Sequence, residues 1–260
     1  MSSPAEQYLD RCQDLLQTVR DQHEDLQQAA DWFAQSILAG RVVHLFGAGH
    51  SRIMVEEMWP RYGSFPGFHP IVELSLTFHN AVVGANGQRQ AMFLENTGGL
   101  AEKILRNFDL SSQDSALVIS SSGCNVVPIE MAREFRRVGI KVVALVSRDH
   151  CEASISNDPG GHKLTDFANL VLDTGAPIGD AMVQLSGLET PVSPGSTVGG
   201  CMVINALKAE VAARLIEQNQ PPQVLTAAAV IGNEKAKELF DGAYDEHGRR
   251  IAKLFAGLGG

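Results

Sequence analysis

The chain has 260 residues, 44% of them hydrophobic, which is enough to bury one sizeable core and indicates one large domain with helical extensions. Its formal net charge of -9 argues against nucleic-acid binding, because an acidic surface repels phosphates. No apolar run approaches the roughly 20 residues that span a bilayer, and no export signal opens the chain, so we expect a cytoplasmic protein with no membrane partner. The four cysteines form no CxxC pair, so we expect neither a disulfide framework nor a zinc ribbon.

A helical pattern runs through the N-terminal part of the chain. Ser3 followed by Pro4 and Glu6 is typical of a helix start in which Ser3 is the N-cap and Glu6 completes a capping box. Apolar residues then recur at alternating steps of three and four until Gly40, which places them along one side of a helix. We expect residues 1–40 to form a long helical segment that packs on its own subunit or on a partner subunit.

Four short runs rich in β-branched residues follow, and helical stretches separate them. They lie at 41–46, 115–120, 141–146 and 169–173. Nearly every position in these runs is apolar, as expected for parallel strands whose two faces are both covered by helices. Residues 127–138 predict a crossover helix that ends at Gly139. The pattern therefore predicts an α/β domain over 41–220, built on a doubly wound, mostly parallel sheet flanked by helices.

The end of the chain predicts further helices. Thr197 is placed to cap an apolar helix that runs to about Gln218, and Pro221-Pro222 ends it. Residues 221–260 then contain one predicted helix, 234–244. We expect this helical tail to wrap around the domain or around a neighbouring subunit.

The first of two loops with phosphate-binding character is Gly47-Ala48-Gly49-His50-Ser51, between a predicted strand and a helical pattern. Gly47 and Gly49 allow a tight turn that brings backbone N–H groups close to a ligand, and a helix N-terminus favours negative charge. A dinucleotide-binding fingerprint would need a third glycine where Arg52 stands, and the chain has no Gly-Lys-Ser or Gly-Lys-Thr. The loop therefore favours a phosphate ligand over a nucleotide cofactor, and we expect no cofactor.

The second loop is Ser120-Ser121-Ser122-Gly123-Cys124-Asn125, again between an apolar strand and a helix. Three hydroxyl groups, the Asn125 amide and the free N–H groups of a helix start can surround a phosphate without a single cation, which suits an acidic protein. Serine and asparagine are also common in ordinary capping loops, so one such loop alone decides little. Two of them in the same sheet favour a ligand.

The pairing of these two loops resembles the sugar isomerase (SIS) domain, a flavodoxin-like α/β fold found in phosphoheptose isomerases, glucosamine synthase and phosphosugar-sensing regulators. The resemblance is greater to a single-domain branch whose members are labelled phosphosugar isomerases, and it covers most of residues 1–230. Further segments that carry it are Glu56-Glu57-Met58, His69-Pro70-Ile71, Leu76 to His79, 127–132, 187–190 and 194–198.

This resemblance implies a phosphorylated sugar as the ligand. It implies that the phosphate is bound by Ser120, Ser121, Ser122 and Asn125, and that Ser51 faces the sugar. In proteins of this kind a second subunit often completes the pocket. We therefore expect a homo-oligomer, either a dimer or a tetramer.

Isomerisation of an aldose phosphate to a ketose phosphate needs a base and an acid, which a carboxylate with a raised pKa and a histidine can supply. Glu56 and Glu57 lie one to two turns into the helix that begins at Ser51. They resemble a Glu-Glu-Leu stretch of phosphoheptose isomerases, although that pair lies about one helical turn further from the glycine loop. The resemblance predicts Glu56, or else Glu57, as the base.

Several histidines are candidates for ring opening or proton transfer. His50 comes first because it lies inside the glycine loop, and His79 and His162 follow. His44 lies within an apolar strand and is predicted to be structural. Residues 197–207 contain no histidine, whereas phosphoheptose isomerases carry one in the late helix that serves a metal site, so we expect no metal here.

Three functions remain open for this chain. The first is an aldose–ketose isomerase that acts on a sugar phosphate. The second is a phosphosugar-binding or sensing module without catalysis, which needs the two loops but no base. The sequence has no helix-turn-helix pattern or basic extension, which disfavours a regulator that binds DNA directly. The third is a lyase or etherase, resembling muramic acid phosphate etherases, in which a carboxylate such as Glu56 or Glu57 promotes elimination.

Overall fold

A five-stranded sheet lies at the centre of the part of the chain that the computed structural model describes, residues 2–76 and 87–256. Its strands are β1 (Val43–Gly47), β2 (Phe68–Ile71), β3 (Ser115–Ile119), β4 (Lys141–Val146) and β5 (Leu170–Asp173). Every pair of neighbouring strands is parallel, which confirms the predicted parallel sheet. An antiparallel ribbon of β6 (Ala181–Val183) and β7 (Val192–Pro194) follows the sheet.

The strands are arranged in the order β2-β1-β3-β4-β5. In a doubly wound sheet of this order the winding reverses between β1 and β3, and ligands bind beyond the carboxyl ends of the strands at that point. Val43 pairs with Ser115 and Gly47 with Ile119, so these two strands end level with each other. The loops that follow β1 and β3 therefore leave the sheet side by side.

Helices cover both faces of the sheet, as predicted. In chain order they are α1 (Pro4–Asp21), α2 (His23–Leu38), α3 (Ser51–Met58), α4 (Gly87–Leu94), α5 (Leu100–Leu105), α6 (Val126–Val138), α7 (Arg148–Ala153), α8 (Ser196–Glu217), α9 (Ala228–Ile231) and α10 (Asn233–Ala256). One core lies between the sheet and α2, α3 and α8, and it includes Leu117 and Val143. The other lies between the sheet and α5 and α6, and it includes Val118 and Val142. Neighbouring residues of a strand enter opposite cores, which explains why the strands are apolar throughout.

The N-terminal segment is helical, as predicted, but it consists of two helices. α1 ends and α2 begins at Gln22, whose backbone (φ -101°, ψ 29°) leaves the helical region. The Gln22 side chain donates a hydrogen bond to the carbonyl oxygen of Asp173 (2.7 Å) and accepts one from the Asp173 N–H (2.8 Å). The break is therefore fixed by a contact with β5, which the apolar periodicity of the segment does not reveal.

The C-terminal helix α10 is longer than predicted, and it packs on the same chain. The Arg250 guanidinium donates hydrogen bonds to the carbonyl oxygens of Ile37 and Arg41, both at 2.9 Å. Tyr244 packs on Trp59, with ring centroids 5.5 Å apart. The helix thus contacts both the end of α2 and the residues that follow α3. None of the described helices is long and apolar enough to cross a membrane.

β2 is the strand of the central sheet that the sequence pattern missed. Its residues, Phe68-His69-Pro70-Ile71, include one β-branched side chain and a proline, which has no N–H to donate. Proline is tolerated here because β2 lies at the edge of the sheet and pairs with β1 alone. α4, α5 and the β6–β7 ribbon were also not predicted, since each is too short to show a clear period.

Candidate functional site

A cavity of about 260 Å³ opens where the loops after β1 and β3 meet. Residues of α3, α4, α6, α7 and α8, together with Asp180, complete its wall. The predicted ligand-binding residues that line it are Gly49, Ser51, Ser120, Ser121, Ser122 and Asn125. The two loops singled out in the sequence therefore share one cavity, at the switch point of the sheet.

The glycine loop after β1 turns tightly. Gly49 has a φ of +56°, in the left-handed region that glycine adopts without strain. Gly47 has no room for a side chain, because a Cβ atom there would lie 2.7 Å from the carbonyl oxygen of Ser51. Gly47 thus shapes the turn, while Gly49, His50 and Ser51 reach the cavity.

The serine loop after β3 offers hydroxyl groups to a ligand. Ser120 Oγ accepts a hydrogen bond from the Gly123 N–H (3.2 Å), and Ser122 Oγ accepts one from the Cys124 N–H (3.3 Å). Each of these hydroxyls keeps its proton for a further bond. Ser121 Oγ is buried and has no hydrogen-bond partner among the residues that the structure describes. Such a group is costly to leave unpaired, and an anion at the loop would satisfy it.

The start of α6 differs from the prediction, which expected free N–H groups there. The N–H of Val127 donates to the carbonyl oxygen of Glu95 (2.8 Å), and that of Val126 donates to Asn96 Oδ1 (3.5 Å). These bonds join the end of α4 to the serine loop. The loop's hydroxyls, rather than the first turn of α6, are therefore the donors that it presents to a ligand.

The start of α8 also reaches the cavity, but its N-terminal N–H groups already bind a carboxylate of the same chain. The Asp180 carboxylate accepts hydrogen bonds from the N–H of Gly195 (3.1 Å) and from the N–H and hydroxyl of Ser196 (2.7 and 2.8 Å). A phosphate would be repelled by this carboxylate. It would therefore lie away from Asp180 and towards the serine loop.

Glu95 follows the last turn of α4 and brings an ionisable carboxyl to the cavity. Burial raises the pKa of Glu95 to about 7, and a hydrogen bond with the Asn125 side chain lowers it only in part. Asn125 Oδ1 accepts a bond from Asn157 Nδ2 (3.2 Å), which leaves the amide nitrogen of Asn125 as the donor to Glu95. A carboxyl that titrates near neutral pH can both take up and release a proton.

The described part of the cavity wall contains no lysine or arginine. Within residues 2–76 and 87–256, no three His, Cys, Asp or Glu side chains are grouped so that they could hold a metal ion. The described wall therefore offers an anion hydrogen-bond donors, backbone dipoles and two imidazoles, but no lysine or arginine.

Of the described histidines, His50 and His150 line the cavity. His50 is the first of the predicted candidates, and His150 was not predicted. His79 lies outside the described residues. His162 lines a separate groove with Arg133.

His44 lies near the amino end of β1, away from the cavity. It is fully buried, with its Nδ1 2.9 Å from Nδ1 of His69 and its Nε2 3.3 Å from Asp114 Oδ2. Its ring also stacks on Phe135, with centroids 5.4 Å apart. These contacts give His44 a place in the core rather than in the cavity.

Glu56 and Glu57 line a groove between α3 and α10, separate from the cavity. Glu56 forms an ion pair with Arg52 (2.7 Å). Glu57 accepts a hydrogen bond from Asn205 (2.8 Å) and pairs with Arg61. Burial opposes the ionisation of Glu57, but these hydrogen bonds outweigh it and lower its pKa, which is the unfavourable direction for a base. The catalytic role of the two glutamates stays a prediction, and the geometry of the single chain does not bring them to the cavity.

Glu95 and His150 are two ionisable cavity residues that the sequence analysis did not name as candidates. His150 follows the carboxyl end of β4, a strand that was predicted, so its place in the chain was a usable signal. Glu95 has no such signal, because it follows a short helix that was not predicted. Its contact with Asn125 depends on the packing of α4 against the start of α6.

The comparison with protein families gives a match to the SIS domain over residues 7–147, more than half of the chain. A UPF0309 protein of Listeria innocua is 31% identical over 248 residues, which cover 95% of this chain and 97% of the relative. A UPF0309 protein of Halalkalibacterium halodurans is 32% identical over 211 residues, which cover 81% of this chain and 85% of the relative.

Solved structures with the same fold include two phosphoheptose isomerases. The one from Neisseria gonorrhoeae has a TM-score of 0.51 at 15% identity and covers 80% of this chain and 96% of its own. The one from Francisella tularensis has a TM-score of 0.50 at 14% identity and covers 81% of this chain and 98% of its own. Identities this low show a shared fold. The family match and the sequence relatives establish that the chain belongs to the SIS domain family and, within it, to the UPF0309 proteins.

Proposed function

We propose that the protein binds a sugar phosphate in this cavity and converts it between its aldose and ketose forms by proton transfer. The observation that carries the proposal is Glu95, whose pKa is raised to about 7 in the cavity that the serine loop also lines. Burial of this carboxyl raises its pKa and thereby lowers the stability of the fold at neutral pH. A protein that only binds its ligand has no reason to carry that cost. A reaction that moves a proton does need such a group.

The phosphate end of the ligand belongs at the serine loop in this proposal. Ser120 and Ser122 have hydroxyl protons to donate, and Ser121 Oγ lacks a partner within the described structure. Ser51 adds a further hydroxyl from the facing loop. The SIS domain match supports this ligand class, and the phosphoheptose isomerases that share the fold act, by their name, on a phosphorylated sugar.

The ionised Glu95 carboxylate acts as the base. It takes the proton from the carbon next to the sugar's carbonyl group, which gives an enediolate. Once a proton has moved between the two oxygens, Glu95 returns its own proton to the former carbonyl carbon. A base is most effective when its pKa lies near the working pH, which a value of about 7 satisfies. The Asn125 amide, which bonds to Glu95, orients the carboxyl within the cavity.

The two alternative functions, phosphosugar sensing and elimination, would use the same cavity. The products distinguish them from isomerisation. A sensing module would bind the sugar phosphate and leave it unchanged, and the raised pKa of Glu95 counts against it. A lyase or etherase would use the same base but would release a substituent of the sugar. The proposal further includes a homo-oligomer, as the family resemblance implies, and a reducing cytoplasm, as the unpaired cysteines predict.

The first test is ligand binding, measured as the rise in unfolding temperature of the purified protein. The panel consists of aldopentose, aldohexose, hexosamine and heptose phosphates, together with their unphosphorylated parents. We expect stabilisation by phosphorylated members alone. If no member stabilises a folded sample, or if the parents stabilise it equally, the cavity does not bind a sugar phosphate through its serine loop.

The second test is proton transfer, followed as deuterium entering C2 of the stabilising aldose phosphate in D₂O and as formation of the ketose. We expect Glu95→Gln to bind the ligand but to lose turnover by roughly 100-fold or more, the usual contribution of a general base. Glu56→Gln and Glu57→Gln are matched controls outside the cavity, and both should stay active. An active Glu95→Gln beside an inactive Glu56→Gln or Glu57→Gln would assign the base as the sequence predicted.

A further inference from the structure

We propose that His150 is the second catalytic residue of the cavity and relays a proton between the two oxygens of the sugar during isomerisation. This inference rests on the proposed isomerase function and adds an acid to the base that Glu95 supplies. His150 lines the same cavity as Glu95 and the serine loop. An aldose–ketose conversion moves a proton between oxygens as well as between carbons, so a single carboxyl does not complete it.

The hydrogen bonds of His150 determine which ring nitrogen carries the proton. The backbone N–H of Gly179 donates to His150 Nδ1 over 3.0 Å. A ring nitrogen that accepts such a bond has no proton of its own, so the neutral ring carries its proton on Nε2. Nε2 forms no hydrogen bond with any residue in the described part of the chain. The imidazole therefore has a donor left for a ligand in the cavity.

The segment that holds His150 is fixed on both sides. Its own backbone is held in α7, where the His150 N–H donates to Ser147 Oγ (3.4 Å) and the Ser154 hydroxyl donates to the His150 carbonyl oxygen (2.6 Å). Gly179, its partner, adopts a φ of +78° in the turn just before Asp180. Asp180 in turn caps α8, so the N–H that aims the ring belongs to a turn anchored to that helix. Such support holds a catalytic group in one orientation.

The proposed relay balances at every step. Glu95 takes the proton from C2 while the C1 carbonyl oxygen takes the proton from His150 Nε2, which gives the enediol and leaves His150 as an imidazolate whose Nδ1 still accepts from Gly179. Nε2 then takes the proton of the hydroxyl on C2. The electron pair left on that oxygen forms the new carbonyl at C2, and C1 takes its proton from Glu95. Both residues finish in their starting states.

Two substitutions separate proton relay from mere support of the loop. His150→Asn keeps an oxygen near the position of Nδ1 to accept from Gly179, but it has no counterpart of Nε2. His150→Gln extends an amide N–H towards the position of Nε2. We expect His150→Asn to keep its unfolding temperature and its affinity within about twofold while kcat falls roughly 100-fold. His150→Gln should stay as slow as His150→Asn, because its amide donates a hydrogen bond but cannot give up and take back a proton. His162→Asn, outside the cavity, should match the parent protein.

The experiment measures kcat, ligand affinity and unfolding temperature for these variants beside Glu95→Gln, with the sugar phosphate from the panel that the parent protein isomerises. A fully active His150→Asn beside an inactive Glu95→Gln would overturn the role of His150 and leave the isomerase function standing. Loss of stability or affinity in His150→Asn that accounts for its loss of activity would make the residue structural. A parent protein that isomerises no member of the panel would overturn the function and the relay together.

Discussion

Glu95 is a residue whose position favours chemistry at the expense of stability. Burial raises its pKa to about 7, from an ordinary value of 4.5, so the folded protein holds its proton more tightly than the unfolded chain does. In that situation stability is highest when the group is protonated in both states. The free energy of unfolding falls as the pH rises from 4.5 towards 7, because in that range the carboxyl ionises in the unfolded chain but stays protonated in the folded protein. Above the folded pKa the carboxyl is ionised in both states, and the free energy of unfolding no longer changes with pH.

This shift predicts a pH-dependent effect of Glu95→Gln on the free energy of unfolding. The amide cannot ionise, so the variant should gain stability over the parent protein as the pH rises, by roughly 2 to 3 kcal/mol between pH 5 and pH 8. Urea unfolding at the two pH values measures the difference. Glu56→Gln, on the surface, is the control. If the difference in the free energy of unfolding between Glu95→Gln and the parent protein does not change with pH, burial does not set the ionisation of this carboxyl.

Single residues of the site were predictable where a loop follows a strand, and unpredictable where packing brings them in. Ser51 and Ser121 stand in loops between a strand and a helix, and the sheet alone brings those loops together. Glu95 reaches the cavity because α4 bonds to the start of α6, a contact far apart in sequence. Glu56 has the right residue type at a plausible distance, but the rotation of α3 turns it to another groove.

At the scale of elements, α8 is packed so closely that glycine is required on one side of it. A Cβ atom at Gly199 would lie 1.9 Å from the carbonyl oxygen of Thr174, and one at Gly200 would lie 2.0 Å from the Met54 sulfur. The backbone of α8 therefore touches both the end of the sheet and α3. This contact sets the distance between the start of α8 and the loops that form the cavity.

Alanine at Gly199 should consequently destabilise the protein by about 2 kcal/mol or more, since a backbone oxygen cannot move aside without shifting the sheet end. Gly248 is the matched control, because it lies in the middle of α10 and a methyl group added to it would meet no atom within 4 Å. Gly248→Ala should stabilise the protein by about 1 kcal/mol through helix propensity alone. Urea unfolding measures the loss of stability expected for the first variant and the gain expected for the second. A Gly199→Ala protein as stable as the parent would contradict the close packing of α8.

The same scale shows which elements the sequence predicts. β3, β4 and α6 were predicted because a strand buried on both faces is continuously apolar and a long helix repeats its period, and Gly139 closes α6 in the left-handed conformation. β2 was missed because an edge strand needs less β-branching and tolerates Pro70. The break between α1 and α2 was missed because Gln22 is fixed by a bond to β5 and not by a local signal.

For the whole molecule, the main electrostatic feature is an anion site, described without lysine or arginine, in an acidic protein. The formal net charge is -9, and no lysine or arginine lines the described part of the cavity. The field of the protein therefore opposes the approach of a phosphate, and only short-range donors such as the serine hydroxyls favour it. Salt screens long-range repulsion effectively but leaves short hydrogen bonds in a partly enclosed cavity nearly unchanged.

This balance predicts how the affinity for the stabilising sugar phosphate depends on salt. Between about 0.02 M and 0.3 M sodium chloride we expect the dissociation constant to stay within about twofold or to decrease slightly, because screening removes repulsion and there is no ion pair to weaken. Isothermal titration at several salt concentrations measures it. A tenfold loss of affinity would contradict a cation-free site. Such a loss would mean that a positively charged side chain pairs with the phosphate, either a protonated histidine of the cavity wall or a basic side chain of a partner subunit.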